Sequence, residues 1–267
     1  MTNGNNVKGS IIWITGAGSG IGKSLALLYA KQGHHVVISG RTHEKLLEVR
    51  ADAASLPGKI SCLPFDVSDS EAVPAISEAL QAIVPHVDLV ILNAGTCEYI
   101  KKQDLEPALF RRVMDTNFFG LVNSINAALP LLKAAHQRPH LAGICSLAAF
   151  IGFPRAEAYG ASKAAASYLL HSVRTDFSEV MDVTVVNPGF VTTPMTAAND
   201  FPMPFEMDAD KAAGRIANAL HKRPLEYNFP GRLTAALRLA QLFKGIWYRQ
   251  ISKQRKNKRT VQRTPAG

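Results

Sequence analysis

The sequence predicts a doubly wound α/β fold: one domain with a central parallel sheet of about seven strands and helices on both faces. Three observations predict it. Short β-branched runs alternate with longer segments of helical periodicity. The runs are apolar nearly throughout, as strands covered on both faces must be. The length, 267 residues with 47% hydrophobic content, suits one such domain without a second core.

In chain order, the strands are read at Ile11 to Thr15, Val36 to Ser39, Ile60 to Leu63, Val87 to Leu92, Leu141 to Ser146 and Val183 to Asn187. A last edge strand is read at Glu226 to Gly231. The segments between them carry helical periodicity, the first from about Lys23 to Gln32. Neither an internal repeat nor a low-complexity linker precedes the lysine-rich end. Ligands of such sheets sit at the C-terminal strand ends, so the residues after each strand are the functional candidates.

The first strand runs into Thr15-Gly16-Ala17-Gly18-Ser19-Gly20-Ile21-Gly22. Glycines permit a tight turn and close backbone approach, and the following helix offers free N–H groups to a pyrophosphate. The spacing is G-x-x-x-G-x-G rather than G-x-G-x-x-G. At the end of the second strand an NAD-preferring protein places an acid against the ribose 2′-hydroxyl. Here that place reads Ser39-Gly40-Arg41-Thr42, with no carboxylate to repel a 2′-phosphate and a guanidinium able to pair with it. NADP(H) is therefore the expected cofactor. The alternative is that Arg41 merely opens the next helix.

Further on, Tyr159 and Lys163 stand four residues apart, which on a helix puts them one turn apart on one face. A phenol is a poor proton donor and acceptor at neutral pH, but an adjacent ammonium stabilises the phenolate and makes Tyr159 usable. Ser146 lies thirteen residues earlier at a strand end, and Asn117 lies within Asp115-Thr116-Asn117-Phe118-Phe119-Gly120.

The glycine loop, Ser146 and Ala158-Tyr159-Gly160-Ala161-Ser162-Lys163 together resemble the short-chain dehydrogenase/reductase family, over roughly residues 10 to 220. The resemblance implies a Rossmann-like fold and hydride chemistry between a carbonyl and an alcohol. It implies a catalytic set of Asn117, Ser146, Tyr159 and Lys163. In it Tyr159 exchanges the proton, Ser146 orients the substrate oxygen, and Asn117 holds a water linking Lys163 to solvent. An asparagine in a long helix could also be a local hydrogen-bonder that bends the helix.

The cofactor set implied is Gly16, Ser19, Gly20, Ile21, Gly22 and Arg41, with Tyr159 and Lys163. Asp66 and Val67 join it at the adenine, and Asn93, Ala94 and Gly95 at the adenosine ribose. Pro188 and Gly189 cover the nicotinamide, with Val191 and Thr193 at the carboxamide or a phosphate. Asp66 could instead cap a helix beginning near Ser68 to Glu71, and Asn-Ala-Gly is turn chemistry anywhere. The resemblance also implies a dimer through helices around Asp104 to His136 and Tyr159 to Val180; the unusual C-terminus puts a tetramer in question.

The substrate is not named by family membership. Between Pro194 and Met207 lie three of the six methionines and two phenylalanines, Phe201 and Phe205. A flexible apolar lid there suits a hydrophobic carbonyl or alcohol; the same side chains could simply close the fold.

The formal charge of +9 is local: residues 231–267 hold ten Lys/Arg and no acid, and residues 1–230 are nearly neutral. Nucleic acid is accordingly not expected as a partner of the body. From Arg232 an amphipathic helix is predicted, with Leu233, Leu237, Leu239, Ala240, Phe243, Ile246, Trp247 and Ile251 on one face and Arg238, Arg249, Lys253 and Lys256 opposite. The chain thus divides into a body, residues 1–230, and a basic helix and tail, residues 231–267. The tail reads either as an interfacial anchor for anionic lipid or as a helix packed on the body or a partner subunit.

Cys62, Cys97 and Cys145 have neither paired nor metal-ligand spacing, so neither disulfides nor a metal site is expected. The polar start, MTNGNNVKGS, lacks the layout of a secretory signal, and no apolar run approaches a bilayer span. A cytoplasmic protein, placed peripherally on the inner face of a membrane if the tail binds lipid, is the expectation. The readings from other classes are an NADP(H)-sensing regulator without turnover and a membrane-surface scaffold; the intact Tyr159 and Lys163 speak against both.

Overall fold

A computed structural model describes residues 9–100, 104–197 and 199–261, with side-chain surroundings given as far as Lys253. Its strands are β1 (Ile11–Thr15), β2 (His35–Ser39), β3 (Lys59–Cys62), β4 (Leu89–Leu92), β5 (His140–Ile144), β6 (Asp182–Pro188), β7 (Val191–Thr192), β8 (Met207–Asp208) and β9 (Glu226–Phe229). Seven form one sheet in the order β3-β2-β1-β4-β5-β6-β9, every neighbouring pair parallel, while β7 and β8 form a separate small ladder. The order reverses direction between β1 and β4, which opens a crevice at their C-terminal ends.

Helices α1 (Gly20–Lys31), α2 (His43–Asp52), α3 (Val73–Ile83), α4 (Pro107–Met114), α5 (Gly120–Lys133), α6 (Glu157–Asp176) and α7 (Ala209–His221) supply the crossovers. Alternation along the strands divides the core in two. Trp13, Val37, Val90, Leu92, Leu141, Val183 and Val185 face α3, α5 and α6, meeting Leu80, Leu131 and Leu170. Ile12, Ile14, Val36, Ile38, Ile91, Ala142 and Val186 face α1, α2 and α7, meeting Leu25, Leu46 and Ile216. This two-sided burial is why the strands read as continuous apolar runs.

The structure moves several predicted boundaries. Val87 and Asp88 are outside β4, because the Val87 N–H bonds the Leu131 carbonyl at the end of α5 and the Asp88 N–H bonds Ile11 O. Ser146 leaves β5 to cap a short 3-10 turn, Leu147–Ala149, its hydroxyl accepting from the Ala148 N–H at 3.1 Å. Helix α1 starts at Gly20 rather than near Lys23. Asp66 does not cap α3: its carboxylate closes a turn on Ser68, and α3 begins at Val73.

The predicted C-terminal helix is two helices, α8 (Gly231–Leu242) and α9 (Lys244–Val261). Phe243 leaves the helical region at φ −115° and ψ 47°, and the turn it makes rotates the apolar stripe. Leu233, Leu237, Ala240 and Trp247 therefore pack on Leu147, Phe150, Ile151 and Phe153, whereas Leu239, Phe243 and Ile246 point outward. Arg238 is turned back to the body, paired with Glu226 at 3.1 Å and stacked over Phe150. The basic run from Arg255 to Arg263, Lys256 included, lies outside the residues whose side chains are described. Among the described residues no helix is long and apolar enough to cross a membrane.

Candidate active site

The C-terminal ends of β1, β2, β4, β5 and β6 surround a cleft of about 300 Å³. Gly16 has φ +65°, and a Cβ on it would fall 2.6 Å from Ala94 Cα; a Cβ on Gly22 would fall 2.4 Å from Gly16 O. Backbone thus lies against backbone, a cradle that any side chain would fill. Asn93 braces the cradle from behind, its amide donating to Thr15 O at 3.1 Å and Gly16 O at 3.0 Å. The Thr15 hydroxyl accepts the Asn93 and Ala94 N–H groups. Ser19 at the N-cap of α1 makes no side-chain cap, and the first turn holds no acid, so its N–H groups and dipole are offered to an anion.

Most of the sequence-predicted residues line this one cleft: Gly16, Ser19, Gly20, Ile21, Arg41, Asp66, Val67, Asn93, Ala94, Gly95, Ser146, Tyr159, Lys163, Pro188, Gly189, Val191 and Thr193. Two do not. Gly22 lies behind the loop, where its lack of a side chain lets Gly16 and Asn93 close in. Asn117 is buried behind Gly95 and Lys163.

Asn117 sits in a π-helical turn, Asp115–Phe119, between α4 and α5. The widened turn points it inward, and π-turns of this kind recur at functional sites. Its amide donates to Thr96 O and to Ser162 Oγ, both at 2.9 Å, and its oxygen accepts the Thr96 N–H at 2.7 Å. Ser162 donates in turn to Tyr159 O at 2.8 Å. Asn117 therefore ties the loop after β4 to the first turns of α6. Sequence reasoning passed over Ser162; its place beside Lys163 in the same motif was the available signal.

Tyr159 and Lys163 are on the inner face of α6. The Lys163 ammonium donates to Ile144 O at 2.9 Å and stands 6.0 Å from the centre of the Tyr159 ring. The Ser146 hydroxyl is close enough to the Tyr159 phenol to favour its ionised form. Burial pushes the Tyr159 phenol above its ordinary range, with the Ser146 hydroxyl opposing, and burial pushes the Lys163 ammonium down, with Cys145 and Cys97 opposing. Both groups are thus desolvated, one turn apart on α6, in the lining of the cleft.

Several cleft residues were missed from sequence. Lys45, in the first turn of α2, joins Arg41 and Thr42 around Gly40, and a basic residue four places after Arg41 was a readable sign of it. Beside the cleft, three loops meet through residues far apart in sequence. Arg155 grips Asp200 with both carboxylate oxygens at 2.6 and 2.9 Å and stacks over Tyr99 at 5.5 Å. Tyr99 meets Phe201 edge-on, and Phe201 meets Phe190. The predicted methionine and phenylalanine lid thus splits, with Phe201 inward and Met195 and Phe205 exposed. No local pattern signals these pairings.

Comparison with known proteins is consistent over most of the chain. The family model described as short chain dehydrogenase matches residues 10–201. An uncharacterized oxidoreductase of Myxococcus xanthus is 34% identical over 230 residues, covering 86% of this chain and 90% of that protein. A fatty acyl-CoA reductase of Acinetobacter baylyi is 32% identical over 229 residues, covering 82% and 75%. The alcohol dehydrogenase of Thermococcus sibiricus, solved in complex with 5-hydroxy-NADP, superposes with a TM-score of 0.74 at 22% identity, over 82% of this chain and 95% of that one. That likeness speaks to the fold. On the extent of the family match and these identities, the chain belongs to the short chain dehydrogenase family and is an oxidoreductase.

Proposed function

We propose that the chain is an NADP(H)-dependent oxidoreductase that interconverts a carbonyl and an alcohol, reducing a hydrophobic ketone or aldehyde. The observation that carries this reading is the meeting of Ser146, Tyr159 and Lys163 on one wall of the same cleft that the Gly16 to Gly22 cradle closes at its other end. The glycine cradle and the uncapped start of α1 fit a dinucleotide, and Arg41 with Lys45 around Gly40 fits a 2′-phosphate. Bound there, the cofactor supplies the hydride.

The residues of the chain do the rest. Ser146 holds the carbonyl oxygen next to Tyr159, which gives up its phenolic proton to that oxygen in reduction and takes it back in oxidation. Lys163, anchored on Ile144 O, stabilises the phenolate left behind. Because burial raises the Tyr159 pKa, the phenol stays protonated through neutral pH. Reduction is expected to be flat through neutral pH and to fall only as the pH rises into the alkaline range.

Met195 in the cleft lining and the Phe190–Phe201 pair beside it support a hydrophobic substrate, as does similarity to a relative named for a fatty acyl-CoA. The outward Phe119, Val122 and Tyr168 around α5 and α6 support a homodimer through those helices. The test is absorbance at 340 nm with NADPH or NADH and a panel of ketones and aldehydes, apolar members included. Turnover with NADPH favoured is expected. No turnover with any member, alongside tight NADPH binding, would leave a cofactor-sensing regulator instead.

A further inference from the structure

The bend at Phe243 leaves a patch on the α8–α9 elbow that nothing in the body covers. Leu239, Leu242, Phe243 and Ile246 are 57%, 78%, 55% and 56% exposed. They follow one another along the bend, Leu239 and Leu242 on the last turn of α8, Phe243 at the break and Ile246 in the first turn of α9, an outward apolar stripe across the elbow. Lys244, Arg249 and Lys253, all exposed, lie along the same elements.

The opposite side of the elbow is fastened to the substrate end of the cleft. Leu237 is buried against Leu147 and Ile151. Gln241 donates to Phe150 O at 2.7 Å, Trp247 donates to Gly152 O at 3.4 Å, and the Tyr248 hydroxyl accepts the Gly152 N–H at 3.2 Å. Leu233 of α8 lies against the Gly189 turn. These contacts fall on the segment between Ser146 and Tyr159 and on the turn flanking the cleft.

We propose that the elbow docks on an anionic membrane surface and thereby holds the substrate mouth against the lipid. Charge complementarity selects this occupant: residues 231–267 carry ten Lys/Arg and no acid, an excess matched by anionic headgroups around an inserted apolar stripe. A second copy is a poor occupant, because a two-fold contact would press two such basic segments together. The stripe inserts shallowly while α8 and α9 lie in the interface plane. The segment between Ser146 and Tyr159, which the elbow covers, is then held close to the lipid in which a hydrophobic carbonyl compound dissolves. This last consequence rests on the proposed activity; the docking does not.

The test uses the full chain, since removing residues after Pro230 would uncover Leu147 and Ile151. It is sedimented with vesicles of phosphatidylcholine alone and with about 30 mol% phosphatidylserine. Binding to the anionic vesicles and not the neutral ones is expected. It should weaken at least about tenfold in the double variant Leu242→Glu/Phe243→Glu, with NADPH oxidation on a water-soluble carbonyl unchanged. Equal sedimentation of both proteins, or equal binding to both vesicles, overturns the proposal. So does a wild-type dimer that the double variant dissociates, since a second copy would then cover the stripe. A chain that sediments as expected yet turns over nothing fails the proposed activity and leaves the docking standing.

Discussion

At the Gly16 to Gly22 end of the cleft the contacts are backbone against backbone, made by residues close in sequence or at adjacent strand ends. At the end bordered by Tyr99, Arg155, Phe201 and α8 they are made by side chains, to other side chains or to backbone, between segments about 45 to 100 residues apart. The first kind leaves almost no freedom to the residue type, because a Cβ at Gly22 has nowhere to go. The second tolerates exchange of its members provided volume and charge are kept, which is how one scaffold accommodates different substrates.

Substitutions at the two ends should separate these roles. The largest effect is expected at their junction: Tyr159→Phe should lower turnover by about a thousandfold while NADPH affinity, followed by fluorescence titration, changes little. Parallel loss of affinity would show that the phenol holds cofactor instead of moving a proton. Gly22→Ala should do the reverse. Its Cβ would crowd Gly16 O and Asn93 Nδ2, so NADPH affinity should drop at least about tenfold and stability by about 2 kcal/mol, as a thermal or urea melt would register.

Between these lies the 2′-phosphate. Arg41→Ala should weaken NADPH about 10- to 100-fold and leave NADH nearly unaffected, the loss of a charge-assisted contact. An equal effect on both cofactors would break the assignment of Arg41 and point to Lys45 or to neither. At the N-terminal ends of the strands, away from the cleft, His140 offers a control that touches neither end. Burial, aided by Arg223, depresses its pKa to about 4, against Asp182, and its Nε2 meets Thr184 Oγ1 at 2.8 Å. The unfolded chain therefore binds the extra proton between pH 6.5 and 4. The stabilisation is complete above about pH 6.5 and is lost as the pH falls, on the order of 2 kcal/mol between pH 7 and 5. A flat urea midpoint over that range would contradict it. The smallest effect is expected at Arg155→Ala. An exposed pair adds under about 1 kcal/mol of stability, so the melt should barely move while KM rises a few-fold at constant kcat.

How much was readable follows the same division. The strands, the parallel sheet and the cradle were legible, because β-branched runs, a G-x-x-x-G-x-G spacing and Tyr159 four residues before Lys163 are local patterns enforced by burial and backbone sterics. Ser162 and Lys45 were nearly legible, the first next to Lys163 and the second four residues after Arg41. Asn117 was legible in identity, but the inward turn that seats it depends on a π-helical widening that no residue type announces. Arg155, Asp200 and Tyr99 were not legible at all, since their meeting depends on how three loops descend onto the sheet.

The C-terminus draws the line most clearly. By itself the sequence determined that an amphipathic helix follows Arg232 and that residues 231–267 carry only basic charge, because periodicity and composition are properties of the chain. Tertiary structure alone decided that Phe243 breaks that helix, that Leu237 and Trp247 turn onto the segment beside Ser146, and that Leu239, Leu242 and Ile246 face away. Which side of an amphipathic helix is buried depends on the surface it meets, and that surface is assembled from β5, α6 and the Gly189 turn only once the sheet has formed.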